Sequence, residues 1–596
     1  MKNKLLFLSG FFLIALSICR GQYVVQDGSE LLKLKELPQE KVFIDHTGPL
    51  VFSGEYLYYS FFCFNAQNNK SSTISKIGYV ALVNETKDYV FEQRIKLEKG
   101  KGNGDFFVST DIPSGTYKLL GYTQWMKNSG VSQVFKDNII ILNPYQANQS
   151  ALLGSPEKKG FSTSTTDGRT MPIDSSMISI VTAKTKYGLR NEINLSIKNY
   201  RDKLGFGTYS LKVIKKTEIQ VPNSLSAIEY ATEYLKADKE IPQRIGDSLF
   251  LPEQRGELFF GSISDELTGN PVADVPVVIS VPGKEFLLKF SQTDHYGNFY
   301  SYLRKDYINS EAIVQAYDPL KSFRIKKGKP MNLNLSELKF SDFQLSKADA
   351  ERITERSVRN QIENHFYSAK PDSIIQGDPI DPFDGGIPEV VILDEYTRFP
   401  TFEETLLEIV DNAGYRDRGT NNQYIKVAQD FETIDEEFNS FSAIVLFDGV
   451  YIPNHEILRN FDARRIEKIS LIRDQFRMAG TDYQGLVSVE TFDGDFYDGY
   501  TAKNAATVKL NRPVQKKNYF TQKYSLSDTE YSRIPDYRSL LLWEPNVVID
   551  GSTLDFEFYT SDIEGEYEII LNGFTTYGKP ISVKKTIEVS SESSKN

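Results

Sequence analysis

The sequence predicts a mainly β protein in which several β-sandwich domains follow one another, together with one α+β domain. The chain has 596 residues, enough for roughly four or five domains of ~100–150 residues each. Hydrophobic residues make up 40% of it, and its 34 tyrosines and 39 phenylalanines are of the type enriched in strands. Apolar and polar residues alternate along much of the sequence, as is typical of half-buried strands.

Residues 1–21 have the pattern of a secretory signal peptide, so we expect an exported protein. Two lysines precede an apolar run over 5–18, which is too short to span a membrane. Cleavage after Gly21 is the expected processing. In the alternative, Cys19 ends a lipobox and is the lipidated first residue, although Ile18 stands where a small residue is usual.

The overall charge argues against a nucleic-acid partner. The formal net charge is −11, whereas nucleic-acid binding needs clustered Lys and Arg. After the signal peptide no stretch approaches eighteen consecutive apolar residues, so we expect no transmembrane helix. We therefore expect a protein that associates with the membrane peripherally, through partners or a lipid anchor.

Residues 22–144 alternate like strands and are predicted to form the first sandwich. Cys63 lies among aromatic residues and is predicted to be a buried core thiol. Two segments resemble the macroglobulin-type β-sandwich, whereas Gly48 and Phe52 depart from its pattern. The matching residues are Gly54, Glu55, Gly115, Tyr117, Tyr122, Thr123, Trp125 and Met126.

The next stretches are predicted to be a linker over 145–176, rich in Ser, Thr, Gly and Lys, and a second sandwich over 177–255. The second sandwich includes a helical segment that Ser224 could cap. Residues 256–345 resemble the transthyretin-like sandwich called carboxypeptidase-regulatory, which implies no catalytic residues. The matching residues are Gly261, Asp265, Gly269, Pro271, Val272, Val275, Val277, Thr293, Asp294, Gly297 and Phe299.

Residues 346–510 are predicted to be the α+β domain. Ser346 and Asp349 have capping-box spacing at the start of a helix. The apolar run 443–447 ends in Asp-Gly and predicts a buried strand followed by a tight turn. Asn454 is predicted to cap a short helical turn. Two alternating strands follow near 469–471 and 487–489, with Gly480 and Gly485 placed in the loop between them.

This order of residues resembles the plug domain of TonB-dependent outer-membrane transporters. The matching residues are Leu446, Asp448, Gly449, Val450, Ile466, Glu467, Ile469, Gly480, Gly485, Val487, Val489 and Thr491. Plug domains normally sit inside a large β-barrel, and we expect this chain to lack a barrel of its own. The resemblance implies a docking domain, with partner binding expected at Asp448, Gly449, Val450 and Tyr451.

Residues 511–589 are predicted to be a terminal sandwich, followed by a disordered tail over 590–596. The whole series resembles a family of envelope proteins of Gram-negative bacteria, some of which are tied to outer-membrane barrel complexes. The terminal motif of that family corresponds here to Asp536, Arg538, Trp543, Pro545, Tyr559, Ser561 and Asp562.

We expect the protein not to be an enzyme and to bind no cofactor apart from a candidate Ca²⁺. The four histidines are His46, His295, His365 and His455. None lies four residues from another, so no zinc motif is formed, and each is predicted to be a surface or turn residue. Neither a Gly-x-Ser-x-Gly elbow nor a phosphate loop is present.

Two acidic loops have the composition of a calcium site. The first contains Asp378, Asp381 and Asp384, and the second contains Asp493, Asp495 and Asp498. Alternating carboxylates in a Gly-rich turn can supply several of the oxygens that Ca²⁺ needs. In the alternative, Asp, Gly and Pro simply form turns.

These observations together favour a non-catalytic, outer-membrane-associated scaffold that docks onto a β-barrel complex for barrel assembly, nutrient import or secretion. The alternative is a cell-surface adhesin or a protein that binds peptide or glycan. The cell surface is the expected location in preference to the periplasm. A protease-trapping macroglobulin is disfavoured because the thioester sequence Cys-Gly-Glu-Gln is missing.

Overall fold

The structure is a computed structural model, and it is mainly β, which confirms the predicted fold class. None of the helices among the described residues is long and apolar enough to cross a membrane. The structure describes residues 23–591 except 25–27, 147–148, 150–151, 153–176, 236–247, 305–306, 308, 317, 319–320, 376, 378–380, 384, 418–422, 432–433, 501 and 525–532.

The first sandwich packs a three-stranded sheet, β2-β4-β7, against a five-stranded sheet, β3-β9-β8-β5-β6. Its core is dominated by aromatic and branched side chains from both sheets, including Phe43, Phe61 and Tyr79. Its elements are β1 (Tyr23–Val24), α1 (Gly28–Lys35), β2 (Glu40–His46), β3 (Leu50–Phe52), β4 (Tyr56–Asn65), β5 (Ile77–Val83), β6 (Tyr89–Lys96), β7 (Lys101–Phe107), β8 (Gly115–Tyr122) and β9 (Phe135–Leu142).

Four strands and a short helix follow the linker. The helix is capped by Ser226, whose side chain accepts from the Glu229 N–H, and not by Ser224 as predicted. The elements are β10 (Ile178–Thr182), β11 (Lys186–Tyr187), β12 (Glu192–Asn199), β13 (Gly207–Lys215) and α2 (Ala227–Tyr234).

The regulatory-like sandwich comes next. One of its sheets has the order β18-β15-β20, and the other begins β17-β16-β19. Hydrophobic side chains on both inner faces build a separate core around Phe259, Val277 and Phe299. Strand β14 (Ser248–Leu249) precedes this sandwich and pairs with β1. The strands of the sandwich are β15 (Glu257–Asp265), β16 (Pro276–Val281), β17 (Leu287–Gln292), β18 (Asn298–Leu303), β19 (Glu311–Ala316) and β20 (Phe323–Lys327).

The plug-like unit is a five-stranded mixed sheet, β22-β27-β28-β25-β26, with α4 and the β23–β24 hairpin on one face. Strand β29 leaves this unit and completes the regulatory-like sheet beside β19. The elements of this part of the chain, of which α3, β21 and β30 lie outside the five-stranded sheet, are α3 (Ala350–His365), β21 (Ser373–Ile374), β22 (Glu389–Ile392), α4 (Phe402–Glu408), β23 (Ala413–Arg416), β24 (Tyr424–Val427), β25 (Ile444–Phe447), β26 (Val450–Tyr451), β27 (Ile466–Met478), β28 (Thr481–Thr491), β29 (Ala505–Lys509) and β30 (Lys517–Asn518).

Helix α3 belongs with the first sandwich and not with the plug-like unit, contrary to the predicted boundary at 346. The predicted capping box forms, because Ser346 N–H donates to Asp349 at 3.1 Å. The guanidinium of Arg356 then pairs with Glu55 of the first sandwich at 2.8 Å. Ile353 packs against a cluster from β3 and β9.

The predicted second and terminal sandwiches are one domain, so the prediction of two separate sandwiches is wrong. The last strands are β31 (Leu540–Ile549), β32 (Thr553–Tyr559), β33 (Gly565–Thr575) and β34 (Pro580–Val589). They interleave with β10–β13 in two sheets, β10-β12-β32 and β11-β34-β33-β13-β31. Each set of strands has one apolar face, and the two sets together enclose a single core. The regulatory-like and plug-like units are therefore inserted between β13 and β31.

Candidate partner-binding surface

The plug-like turn at 448–451 is held by hydrogen bonds within its own unit. The Asp448 carboxylate accepts from the N–H groups of Thr491 at 2.8 Å and Phe496 at 3.1 Å, and from the Thr491 hydroxyl at 2.7 Å. Asp448 and Gly449 have φ values of 46° and 82°, a region in which Asp and Gly are tolerated better than most residues. The Asp-Gly pair thus fixes the turn to the end of β28.

The same turn is buried against the regulatory-like sandwich. The Gly283 N–H donates to the Asp448 carbonyl at 2.9 Å, and the Tyr451 N–H donates to Ser280 Oγ at 3.1 Å. Gln315 donates to the Tyr451 carbonyl at 2.7 Å. Contrary to the expectation, Asp448, Gly449, Val450 and Tyr451 form a contact between two units of the chain and are not exposed to a partner.

The other local predictions for this region are largely confirmed. Strands cover 444–447, 469–471 and 487–489. The Asn454 side chain accepts from the Glu456 N–H and caps the turn His455–Leu458. Gly480 lies in the β27–β28 turn. Gly485 does not, because it lies inside β28, where a side chain would meet Val427 Cβ at 2.4 Å.

Strand β22 forms the outer edge of the plug-like sheet. It pairs with β27 on one side and has no strand partner on the other among the described residues. Apolar side chains are exposed along it: Ile387 by 92%, Val390 by 51% and Ile392 by 43%. We call residues 387–392 the β22 edge. An open edge with apolar side chains is a template for pairing with an extended segment of another chain.

The β22 edge is anchored by a polar cluster at Glu389, the first residue of strand β22. The Glu389 carboxylate accepts from Asn412 at 2.9 Å and pairs with Arg473 at 3.2 Å. The Arg473 Nε–H donates to the Ala428 carbonyl at 3.0 Å, and its guanidinium lies 5.9 Å from the ring of Phe431. Phe431 is 86% exposed, so it extends the apolar surface next to the edge.

Comparisons with known proteins leave the family open. No protein-family model matches the chain, and no curated protein matches it. Similar solved structures include Escherichia coli alpha-2-macroglobulin activated by porcine elastase, at 10% identity and a TM-score of 0.23, covering 93% of this chain and 44% of that one. Salmonella alpha-2-macroglobulin reacted with methylamine has 8% identity, a TM-score of 0.23 and coverages of 96% and 40%.

The Yersinia pseudotuberculosis adhesin InvE has 10% identity, a TM-score of 0.12 and coverages of 48% and 57%. The chain spans less than half the length of the two macroglobulins. At these identities and TM-scores the likeness carries no argument about activity or partners. The resemblances of 256–345 and 441–492 to the regulatory and plug modules stay predictions.

The calcium prediction falls partly outside the described residues. Asp378 and Asp384 are not described, whereas the Asp381 carboxylate accepts from the N–H groups of Phe383 and Gly385 and so forms a turn. In the second loop, Asp495 pairs with Arg465 at 2.7 Å. Within the described part of the chain, no group of three or more His, Cys, Asp or Glu side chains is placed to hold a metal ion.

The described residues include only one of the two cysteines, so only the prediction for Cys63 can be compared with the structure. Cys63 is buried in the first sandwich as predicted. Burial, reinforced by the nearby Glu40 carboxylate, raises the pKa of the Cys63 thiol well above its usual value, which disfavours the reactive thiolate. Cys19, the candidate lipidation site, lies outside the described residues.

His46 and His455 are buried. The prediction of a surface or turn position is wrong for His46, which lies in β2, whereas His455 lies in the turn His455–Leu458 as predicted. His46 Nε2 lies 3.0 Å from Asp137 Oδ2 inside the first sandwich. His455 Nδ1 accepts from the Ile425 N–H at 2.9 Å, and burial lowers its pKa to about 4. Both rings serve packing and hydrogen bonding within their units.

The terminal motif holds the two halves of the second sandwich together. Arg538 pairs with Asp536 at 2.7 Å, and the Asp536 N–H donates to Asp562 at 2.9 Å. Asp562 also pairs with Arg190, which precedes β12, at 2.6 Å. Desolvation opposes ionisation of Asp536, but Arg538 outweighs it and lowers the pKa to about 2. The motif is therefore structural.

Proposed function

We propose that the protein is a non-catalytic scaffold of the bacterial outer membrane that docks onto a β-barrel complex through the β22 edge. The observation that carries the proposal is the open edge strand with three exposed apolar side chains, Ile387, Val390 and Ile392. Soluble domains usually cover such an edge or place charges along it.

The opposite edge of the same sheet shows how this fold covers a strand. Val450 and Tyr451 of β26 are buried, and Ser280 and Gln315 of the regulatory-like sandwich meet the backbone of Tyr451. The β22 edge has no such cover among the described residues. The contrast supports a partner at β22 that supplies both apolar contact and backbone hydrogen bonds.

The β22 edge is also held rigidly enough to act as a template. Arg473 of β27 pairs with Glu389, and Val390 lies opposite Ser470 in the antiparallel pairing of β22 with β27. These contacts fix β22 against β27. A surface that is already in its bound conformation loses little conformational entropy on binding. The exposed ring of Phe431 next to Arg473 could serve as an aromatic anchor.

The choice of a β-barrel complex as the partner rests on the sequence resemblance to plug domains. Relatives of the plug-like segment meet the walls of barrels, and the predicted signal peptide exports the chain. The strands of a closed barrel pair with one another and leave no free edge. The segment that pairs with β22 would therefore come from a loop, a terminus or an accessory subunit of the barrel complex. Barrel assembly, nutrient import and secretion all fit this role, with the cell surface as the expected location.

Two lysine substitutions test the proposal. Val390→Lys and Ile392→Lys place charges on the exposed side of the edge without touching the core. Val548→Lys is a matched control, because Val548 is also 51% exposed and lies on β31, an edge strand of another sheet. Each full-length variant is affinity-purified from the native membrane in mild detergent, and copurifying outer-membrane proteins are quantified.

We expect recovery of a barrel protein to fall at least tenfold in the β22 variants, equivalent to about 1.4 kcal/mol, and to be unchanged in the control. Purification that recovers no outer-membrane barrel protein, or recovery that the β22 substitutions leave unchanged, contradicts the proposal. A hydrolytic activity that accompanies the pure chain would contradict its non-catalytic part.

A further inference from the structure

A buried carboxylate lies at the junction between the first sandwich and the regulatory-like sandwich. Glu253 is 1% exposed and belongs to the segment that leads from β14 into β15. Its carbonyl accepts from the Lys76 N–H of the first sandwich at 2.8 Å. Its carboxylate accepts from the Tyr79 hydroxyl of β5 and from the Leu258 N–H of β15, each at 3.0 Å. The Glu253 side chain therefore connects the two sandwiches directly.

The Glu253 carboxylate is held by neutral donors. The cations near it have other partners: Arg94 of β6 pairs with Glu257, and Lys127 Nζ donates to the Met331 carbonyl at 3.2 Å. Among the described residues, no Lys, Arg or His nitrogen forms a salt bridge with Glu253. An ionised carboxylate at this position is therefore buried without a counter-ion in contact, which is costly.

The charges around Glu253 do not offset that cost. The titratable groups that face it are Tyr79, Arg94 and Lys127 from the first sandwich and Glu257 and Tyr302 from the regulatory-like sandwich. Burial disfavours the ionised form most strongly, and the Glu257 carboxylate adds to this effect. The Arg94 charge and the two hydrogen bonds act in the opposite direction. Burial outweighs them and raises the pKa of Glu253 to about 7.

We propose that this junction is a pH-sensitive contact, which is closed while Glu253 is protonated and opens when Glu253 ionises. The geometry suits the neutral acid. Its Oε1 accepts from the Leu258 N–H at 3.0 Å, and a proton on Oε2 can be donated to the Tyr79 hydroxyl oxygen, 3.0 Å away. When the proton is lost, separation of the two sandwiches lets water solvate the carboxylate, so ionisation favours the open junction.

The direction of the pH effect follows from linkage. The pKa of Glu253 is about 7 in the closed junction and 4.5 for an ordinary glutamate, so the closed junction binds the proton more tightly than the open one. The stabilisation is fully present below about pH 4.5 and is lost as the pH rises to about 7. From these two values, the equilibrium constant for opening rises about 50-fold between pH 5 and pH 7.5.

Lys127 sets the upper limit of the pH range in which Glu253 can be followed. Burial lowers the pKa of Lys127 to about 8. A group whose pKa is lowered in the closed junction favours closure as the pH rises through that value, which is opposite in sign to Glu253. Measurements between pH 5 and pH 7.5 therefore report mainly on Glu253.

The proposal does not rest on docking at the β22 edge. Glu253 lies between the first and regulatory-like sandwiches, whereas β22 belongs to the sheet of the plug-like unit. The lysine substitutions at Val390 and Ile392 do not touch the junction. The two proposals can therefore fail separately.

Hydrogen exchange at the Leu258 N–H tests the proposal, because this donor bonds to the Glu253 carboxylate. Exchange of the full mature chain is followed from pH 5 to pH 7.5 by mass spectrometry with fragmentation that resolves single residues. Glu253→Gln keeps an acceptor oxygen and cannot ionise. The ratio of exchange rates in wild type and this variant at the same pH cancels the intrinsic pH dependence of exchange and the effects of other titrating groups.

Glu40→Gln is the matched control. Glu40 is 3% exposed inside the first sandwich, and its carboxylate also accepts from neutral donors, Ser75 at 2.6 Å and Thr123 at 2.8 Å. Strand β33 of the second sandwich is the internal reference within each molecule. Infrared spectroscopy of the carboxylic acid C=O band, with Glu253→Gln as the blank, titrates the Glu253 proton directly.

We expect the ratio of wild-type to Glu253→Gln exchange at Leu258 to rise about 50-fold from pH 5 to pH 7.5. The corresponding ratio for Glu40→Gln, and the ratios at β33, should stay constant. If Glu253→Gln does not fold, wild-type exchange at Leu258 relative to β33 should show the same rise. A rise below about threefold overturns the proposal, and so does an infrared titration of Glu253 with a midpoint near 4.5, the ordinary value for glutamate.

Discussion

The contact between the first and second sandwiches depends on a buried ion pair, and removing Asp45 should weaken it strongly. Asp45 Oδ1 accepts from Lys212 Nζ and from Asn572 Nδ2, each at 2.9 Å, and Oδ2 accepts from Ser210 at 2.7 Å. Lys212 Nζ also donates to the His46 carbonyl at 2.6 Å. The Asp45→Ala variant leaves the Lys212 ammonium buried with that carbonyl as its remaining close partner.

The expected cost follows from the burial of both partners. Asp45 is 2% exposed and Lys212 is 5% exposed, and breaking such a pair from one side typically costs 3–5 kcal/mol. Desolvation raises the pKa of Asp45, but Lys212 and the three hydrogen bonds lower it further, so the net pKa is below the ordinary value. The stabilisation is therefore fully present above about pH 4 and is lost as the pH falls through the lower, folded-state pKa.

The chain's two tryptophans allow each sandwich to be followed separately. Trp125 lies beside the first sandwich and Trp543 lies on β31 of the second. Urea unfolding is followed by fluorescence in Trp125→Phe and Trp543→Phe backgrounds, with and without Asp45→Ala. We expect Asp45→Ala to lower the unfolding free energy by about 3–5 kcal/mol and to separate the two transitions.

Lys212→Met provides the second arm of the experiment. In the double variant neither charge is left buried alone, so we expect it to recover at least about 1 kcal/mol relative to the sum of the single variants. A loss below about 1 kcal/mol in Asp45→Ala, or strictly additive single and double variants, would refute the coupling.

Two further predictions concern the plug-like unit. Because the pKa of His455 is about 4 in the fold and about 6.5 unfolded, the unit should lose about 1.4 kcal/mol of stability per pH unit as the pH falls through this window. His455→Asn, which keeps an acceptor for Ile425, should flatten that slope in hydrogen exchange of β24. Gly449→Ala should destabilise the contact with Phe286, since its Cβ would lie 2.3 Å from Phe286 Cβ. Gly480→Ala is the control, because its φ of 79° matches the 82° of Gly449 but nothing lies within 4 Å; equal thermal shifts would contradict the steric argument.

Local structure was predictable where the pattern of residues is itself sufficient. The apolar run of β25, the Asp448–Gly449 turn and the Asn454 cap each depend on neighbouring residues in the sequence. The burial of His455 was not predictable, because it depends on a backbone N–H donor at Ile425, thirty residues away. A polar residue becomes a core residue only when tertiary structure supplies its partner.

The pairing of the second sandwich was not predictable for a related reason. The alternation in β12 and β13 shows that each has an apolar face, but it does not identify the strands that pair with them in their sheets. The pairing strands, β32 beside β12 and β33 beside β13, lie more than 300 residues later in the chain. Alternation therefore predicts the layer architecture and leaves the connectivity open.

The candidate surfaces differ in how far a sequence pattern could have predicted them. The run of apolar residues from Val390 to Ile392 suggests a buried strand, and its exposure follows only from its position at the sheet edge. The cleft lined by Tyr56, Phe107, Tyr145 and Tyr367 combines residues from four separate parts of the chain, so no local spacing predicts it. Topology decides both.

The insertion between β13 and β31 also determines how the plug-like unit can be tested. Strand β29 leaves the plug-like unit and forms the last strand of the regulatory-like sheet. Residues Phe286 and Val278 of that sandwich share a core with Leu446 and Tyr451. Excising the plug-like unit would uncover this core, so that lost partner binding could not be separated from misfolding. The exposed side chains of the β22 edge can be changed without entering that core, and point substitutions there therefore separate docking from folding.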